Sequence, residues 1–255
     1  MVRLLLIPLL AALAGCGSVV SPGRSVELQT TGPVAVEVVA FAGSVTITQD
    51  PSVLGVSVTV HRRGNLGLGR RGDALDALAG IEWVASVEPT DLGQAIVVRA
   101  TCDDPVHPLL AADIEIVAPS IDGVSIVTSR GHVVLRNIAG PISVKNSDGN
   151  ILLASSRPLW DAVTMENRRG DIHFRVHGES TAVFDCRSVG GEVACKVIVG
   201  RLDIEEGTSR STLHARLNEG TNRVRLRTVD GDVRIVVIAN PTLNVPWMNA
   251  EGFPR

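Results

Sequence analysis

One short pattern recurs from Gly123 to Gly231 and limits what this chain can fold into. It is a glycine, one spacer, then two or three apolar residues in which β-branched types are prominent. It reads Asp122-Gly123-Val124-Ser125-Ile126, Gly131-His132-Val133-Val134-Leu135, Gly140-Pro141-Ile142-Ser143-Val144 and Gly149-Asn150-Ile151-Leu152-Leu153. It returns at Gly170-Asp171-Ile172, Gly191-Glu192-Val193 and Gly231-Asp232-Val233, with weaker copies at Gly200 and Gly220. The glycine suits a turn that needs positive φ, and the residues after it suit a short strand. Strong copies lie about twenty residues apart with weaker ones about halfway between, as in stacked repeats. One coil of about twenty residues then carries two or more short strands and buries its apolar face only by stacking on its neighbours. Alternation such as Val224-Arg225-Leu226 gives each strand one inward and one outward face. The expected fold is all-β, a parallel β-solenoid resembling a β-helix. The alternative is a β-sandwich, which also places strands about 8–12 residues apart but does not require glycine at the same phase of each.

Residues 1–15 read as a lipoprotein signal peptide. Arg3 is a short positive start, and Leu4 to Leu13 is an apolar run of about ten residues, too short for a permanent membrane span. The run ends in Leu13-Ala14-Gly15-Cys16, which resembles the bacterial lipobox. That resemblance implies a lipid on the Cys16 thiol, cleavage before Cys16 and acylation of the new amine. The simpler alternative is an ordinary signal peptide ending near a cysteine. Gly17 rather than Asp follows, which by the same resemblance sends a Gram-negative lipoprotein to the outer membrane. Residues 16–24 are small and polar, a lipidated tether.

Residues 25–104 form a first β region with a less regular beat. Its strand-like stretches are Val34–Val38, Ser44–Thr48, Val56–Val60, Ile81–Val84 and Ala95–Val98. Gly64, Gly67 and Gly69, between Arg62 and Arg71, lack the Lys-Ser/Thr and βαβ setting of a phosphate cradle and read as a surface loop. Asp73 to Leu78 is the one helix expected in the mature chain. Cys102-Asp103-Asp104-Pro105-Val106-His107-Pro108 has no recognised metal spacing and reads as a connecting loop. Residues 105–240 carry the regular repeats, with a loop excursion at Ser155–Asp161. Residues 241–255 are a tail, or a cap on the open end of the last coil.

The mature chain, about 240 residues, makes one domain or two fused β lobes. Its apolar content, 45%, is enough for a core. No basic stripe is interleaved with aromatics, which counts against nucleic acid. Aromatics are 3% and Tyr is absent, which counts against a dedicated sugar-stacking cleft. His132, His173 and His214 are evenly spaced, but residues two coils apart are roughly 9–10 Å apart and cannot share one ion. The column Asp148, Asp171, Glu192, Asp230 and Asp232 lacks the tandem Gly-Gly-x-Gly-x-Asp of the calcium β-roll and reads as turn chemistry. Arg71-Gly72-Asp73 and Arg169-Gly170-Asp171 spell the integrin tripeptide; the second already has a structural reason at a repeat turn. Alternation turns Cys186 and Cys195 inward. Sheets pack about 10 Å apart and a disulfide needs Cα atoms within about 7 Å, so buried free thiols are favoured over a bridge near Val189–Gly191. No catalytic residue, metal ligand or cofactor site is expected.

With the lipobox in front, the units Ser147-Asp148-Gly149-Asn150-Ile151, Arg169-Gly170-Asp171-Ile172 and Val229-Asp230-Gly231-Asp232-Val233 resemble the bacterial putative-adhesin family of β-strand-repeat proteins. The similarity spans roughly Val34 to Ile238. It implies a domain of unknown function tethered in the cell envelope, and no catalytic residues to carry over. The expected function is a lipid-anchored, non-catalytic binding, adhesin-like or structural module of the bacterial envelope. Its partners would be the membrane, through the lipid, and an envelope protein or polysaccharide. The alternatives are an envelope polysaccharide lyase or hydrolase on a parallel β-helix, and a scaffold that self-assembles through coil ends.

Overall fold

The structure, a computed structural model, describes residues 19–64, 77–91, 93–103 and 109–243. Apolar and polar residues alternate along nearly every strand, as at Val34, Val36 and Val38, which are buried while Ala35 and Glu37 between them are not. The first ten strands are β1 (Val19–Val20), β2 (Arg24–Leu28), β3 (Val34–Ala40), β4 (Val45–Gln49), β5 (Val56–Gly64), β6 (Ile81–Thr90), β7 (Gly93–Cys102), β8 (Leu110–Ala118), β9 (Ile121–Thr128) and β10 (Val133–Arg136). There follow β11 (Ala139–Asp148), β12 (Ile151–Ser155), β13 (Val163–Arg169), β14 (Ile172–His177), β15 (Ala182–Ser188), β16 (Val193–Val197), β17 (Leu202–Ile204), β18 (Thr212–Leu217), β19 (Arg223–Asp230) and β20 (Val233–Ile238). Residues 77–79 make a single helical turn, within reach of the short helix expected at Asp73–Leu78.

Among the described residues the strands form two ten-stranded sheets. Sheet A runs β1-β5-β8-β4-β10-β12-β14-β20-β16, with β2 on β5; sheet B runs β17-β18-β15-β19-β13-β11-β9-β3-β7-β6. Each repeat gives one strand to each sheet, and the repeats pair in parallel: β9, β11, β13, β19 and β15 in sheet B, β10, β12, β14, β20 and β16 in sheet A. This is the parallel β-solenoid. The layers also face one another as in a sandwich, but only the ends are antiparallel, at β1, β2 and β8 on β5, β6 on β7, and β17–β18 on β15.

The order of coils in space is not their order in the chain. The last coil, β19–β20, is inserted between β13–β14 and β15–β16. The first, β3–β4, lies between β7–β8 and β9–β10. Coils that share one stacking interface can neighbour one another in any order, so these insertions cost no special chemistry. The last repeat is therefore interior, and the chain leaves it at the flank of the stack rather than at an open end. One apolar cluster runs from Val34 to Val237 and joins the early region to the regular repeats. Phe174 and Phe184 meet edge to face inside it, with centroids 6.1 Å apart.

Cys16 and its lipobox, most of the loop from Arg62 to Arg71, the tripeptide at Arg71–Asp73 and the stretch Asp104–Pro108 lie outside the described residues. Among those described, no helix is long and apolar enough to cross a membrane.

A candidate binding groove and the corners that hold it

The groove lies where strands of sheet B turn towards sheet A, so the corner comes first. Each regular corner places a glycine directly on the glycine of the neighbouring coil. At Gly170 φ is +117°, and a side chain there would run into the backbone carbonyl of Gly149. Both the left-handed backbone and the close approach demand glycine.

Two polar ladders bracket this glycine. Three residues before it, Asn146 Nδ2 donates to the carbonyls of Gly131 and Gly149 at 3.1 and 3.3 Å. Asn167 Nδ2 donates to Gly149 and Gly170 at 2.7 and 3.0 Å. Thr228 Oγ1 continues to Gly170 and Ser188 Oγ to Gly231, at 2.9 and 2.6 Å. One residue after the glycine, each side chain accepts the backbone N–H of its counterpart on the next coil. Asp113, which follows Ala112 rather than a glycine, receives Ser44; Ser44 receives His132, His132 Nδ1 receives Asn150, and Asn150 receives Asp171. Asp171 then receives Asp232, and Asp232 receives Glu192, at 2.8 and 3.0 Å. The bond from Glu192 is the largest influence on Asp232 and holds its carboxyl below the usual range, against a smaller opposing effect of burial. Buried turn carbonyls and N–H groups must find partners, and these side chains supply them. The repeat unit legible in the sequence contains the glycine and the strand that follows it. The Asn, Thr or Ser three places ahead of the glycine lies outside that unit; its signal in the sequence is the recurring spacing to the glycine.

Above the inner ladder, on the outer face of sheet B, lies a groove of about 520 Å³. Register brings Lys145 beside Glu166, Glu166 beside Arg227 and Arg227 beside Arg187, on four adjacent strands. Arg168 and the exposed side chains of Val189 and Val229 complete the walls. Arg227 donates to both carboxylate oxygens of Asp185, at 3.0 and 3.2 Å, and Arg225 Nε lies 3.5 Å from one of them. Burial alone would raise the Asp185 carboxyl; the two guanidiniums outweigh it and hold the group below its ordinary value. Lys145, Arg168 and Arg187 form no ion pair with any described residue. The floor is thus positive, with Glu166 as its single carboxylate. This can hold an extended anionic ligand between two small apolar edges.

The other residues singled out by sequence do not join the groove. Asp148 pairs with Arg169 at 2.8 Å, and Glu192 pairs with Arg210. Arg169-Gly170-Asp171 is a corner in which all three residues have structural partners. His132 belongs to the outer ladder, His173 is buried on sheet A, and His214 sits on β18 opposite Asp185. Cys186 and Cys195 are free thiols on opposite sheets. Burial pushes the Cys186 thiol far up and Cys195 up to about 11.

Residues 110–236 match the model of the family described as Toastrack DUF4097. A putative cell adhesion protein from Clostridium sporogenes has the same fold, with TM-score 0.57 and 9% identity over 85% of this chain and 99% of its own. A putative adhesin from Bacteroides fragilis aligns over 84% of this chain and 96% of its own at 12% identity, with TM-score 0.31. No curated protein matches the chain.

Proposed function

We propose that the protein, whose residues 110–236 match the Toastrack DUF4097 family model, is a lipid-anchored, adhesin-like binding module of the bacterial envelope that holds an acidic polysaccharide in the groove on sheet B. The observation that carries this reading is the convergence of Lys145, Arg168 and Arg187 from three strands, none paired with a described acid. The name of the Clostridium sporogenes relative agrees with adhesion. A glycoside hydrolase works with a pair of carboxyls about 5–10 Å apart. Glu166 has no second acid among the residues that line the groove, which supports binding over cleavage.

Binding to immobilised polygalacturonate tests the groove. Wild type is expected to bind in low salt and to elute as salt rises. Lys145→Glu/Arg168→Glu/Arg187→Glu should weaken binding by about tenfold or more, as expected for several reversed surface charges. Far-ultraviolet circular dichroism should stay unchanged. Equal binding by wild type and variant would remove the groove from the function.

Anchoring rests on the lipobox resemblance, with Cys16 as the acceptor thiol. Expressed in a bacterium that processes lipoproteins, wild type should partition into the detergent phase of a Triton X-114 extract. Cys16→Ala should remain aqueous or appear as uncleaved precursor. Equal partitioning of the two proteins would show that no lipid is carried at this cysteine.

A further inference from the structure

The loop from Ser156 to Ala162 joins β12 to β13 and carries Trp160, which is 64% exposed and is the one exposed aromatic side chain among the described residues. The loop is tied down on both sides of it. Leu159 is buried in the core cluster, and its N–H donates to Ser180 Oγ at 3.0 Å. The Leu159 carbonyl accepts the Thr181 N–H at 3.0 Å, and the Asp161 carbonyl accepts from Asn222 Nδ2 at 3.0 Å. Thr181 Oγ1 in turn donates to Asn222 Oδ1 at 2.8 Å. Pro158 removes a further backbone freedom. An indole held in one place on a fixed loop can take up a ligand with little additional ordering.

The same bonds fix where Trp160 stands. Thr181 directly precedes β15 and Asn222 directly precedes β19, so the loop lies at the head of this strand pair in sheet B. Alternation turns Val224 and Leu226 of β19 into the core and Arg223, Arg225 and Arg227 outward. On β15 it turns Asp185 and Arg187 outward, and register sets Asp185 beside Arg225 and Arg187 beside Arg227. Arg227 and Arg187 belong to the groove already described, and Arg225 and Arg223 continue from it towards Trp160. Asp185 is held by Arg225 and Arg227, which leaves the stripe with an excess of positive charge. From Arg223 to Arg227 it covers about 13 Å of extended strand. A cationic track thus runs along β19 with the groove at one end and an aromatic face at the other.

We propose that Trp160 is a sugar-stacking platform at the far end of this track, so that an acidic polysaccharide lies along β19 with acid groups over the arginines and a pyranose face on the indole. This rests on the acidic-polysaccharide reading of the groove and extends it to an occupant several sugars long. The guanidiniums answer the acid groups; the indole answers the C–H face of a pyranose, which carries no charge.

Binding to polygalacturonate across a salt series separates the two contributions. Trp160→Ala should weaken binding by about fivefold or more at every salt concentration and leave the slope of log affinity against log salt unchanged, because no charge is removed. Trp160→Phe, which keeps a ring, should recover most of the loss. Arg223→Glu should weaken binding and make the slope shallower. Wild-type affinity in Trp160→Ala, or equal losses in Trp160→Ala and Trp160→Phe, overturns the proposal. So does a wild-type dimer in size exclusion that Trp160→Ala dissociates, since the indole would then serve a contact between copies. If Trp160→Ala does not fold, unchanged affinity and slope in Arg223→Glu overturns it. Binding that is lost in Lys145→Glu/Arg168→Glu/Arg187→Glu but kept in both Trp160→Ala and Arg223→Glu removes the platform and leaves the groove; no binding by wild type removes both.

Discussion

Gly170→Val is expected to leave no folded protein at ambient temperature. Two costs coincide at this corner. The backbone holds φ at +117°, a region that costs an L-residue about 1–3 kcal/mol and a β-branched one more. The new Cβ also points into the carbonyl of Gly149 on the neighbouring coil, and a backbone atom fixed by its own ladder cannot move aside cheaply. Separating the two coils would break the bonds from Asn167 to Gly149 and from Asp171 to Asn150. Together these losses approach the whole stability of a domain, about 5–15 kcal/mol. Gly32→Ala separates the two contributions. Gly32 has φ of +78° but no atom within 4 Å of the added methyl, so only the backbone cost of about 1–2 kcal/mol remains. Urea unfolding should give a clear midpoint for Gly32→Ala, while Gly170→Ala should fall at least about 2 kcal/mol below it, and Gly170→Val should be insoluble. Comparable midpoints for the two alanine variants would mean that the corner contact carries no weight.

The second large effect is a loss of stability between pH 6.5 and 4 that depends on His173. Burial holds its imidazole down at about 4. Asp171, with Oδ2 3.8 Å from Nε2, and Asp232 oppose this; Arg234 and Arg175 add to it. In the unfolded chain the ring titrates near its ordinary value, about 6.5. The folded protein therefore favours the neutral ring. The stabilisation is complete above about pH 6.5 and is lost as pH falls towards 4, because the unfolded chain takes up the proton first. A shift of this size corresponds to about 3 kcal/mol across the window. Asp185 and Asp232, whose pKa values are depressed, contribute with their loss at lower pH, below the unfolded carboxylate value of about 4. His173→Leu should fold, since Leu152 occupies the register position beside it, and should flatten the urea midpoint between about pH 7.5 and 4.5. A slope that persists unchanged in this variant would exclude His173 as its source.

Much of this architecture was written in local chemistry. Alternating β-branched stretches marked strands that the structure places at β3, β4, β5, β6 and β7, and a glycine at constant phase marked most strands of the repeats; β13 and β18, which no such glycine unit precedes, went unmarked. The same alternation turned Phe184 and Cys186 inward and Asp185 outward. These properties depend on a residue and its immediate neighbours, so a single sequence carries them. The corner ladders were half legible: Asn167 stands three places before Gly170, but one of its two acceptors, Gly149, belongs to another coil. The order of the coils was not legible at all. Every corner offers nearly the same glycine and the same polar partners, and nothing local says that β19–β20 goes between β13–β14 and β15–β16. That insertion puts Arg227 between Glu166 and Arg187, and so makes the groove. Nor did alternation reveal that Leu152 and His173, both on an outward face, would be buried. Strand pattern determines which side of a sheet a residue takes; only the packed tertiary structure determines which coil lies beside it and what lies over it.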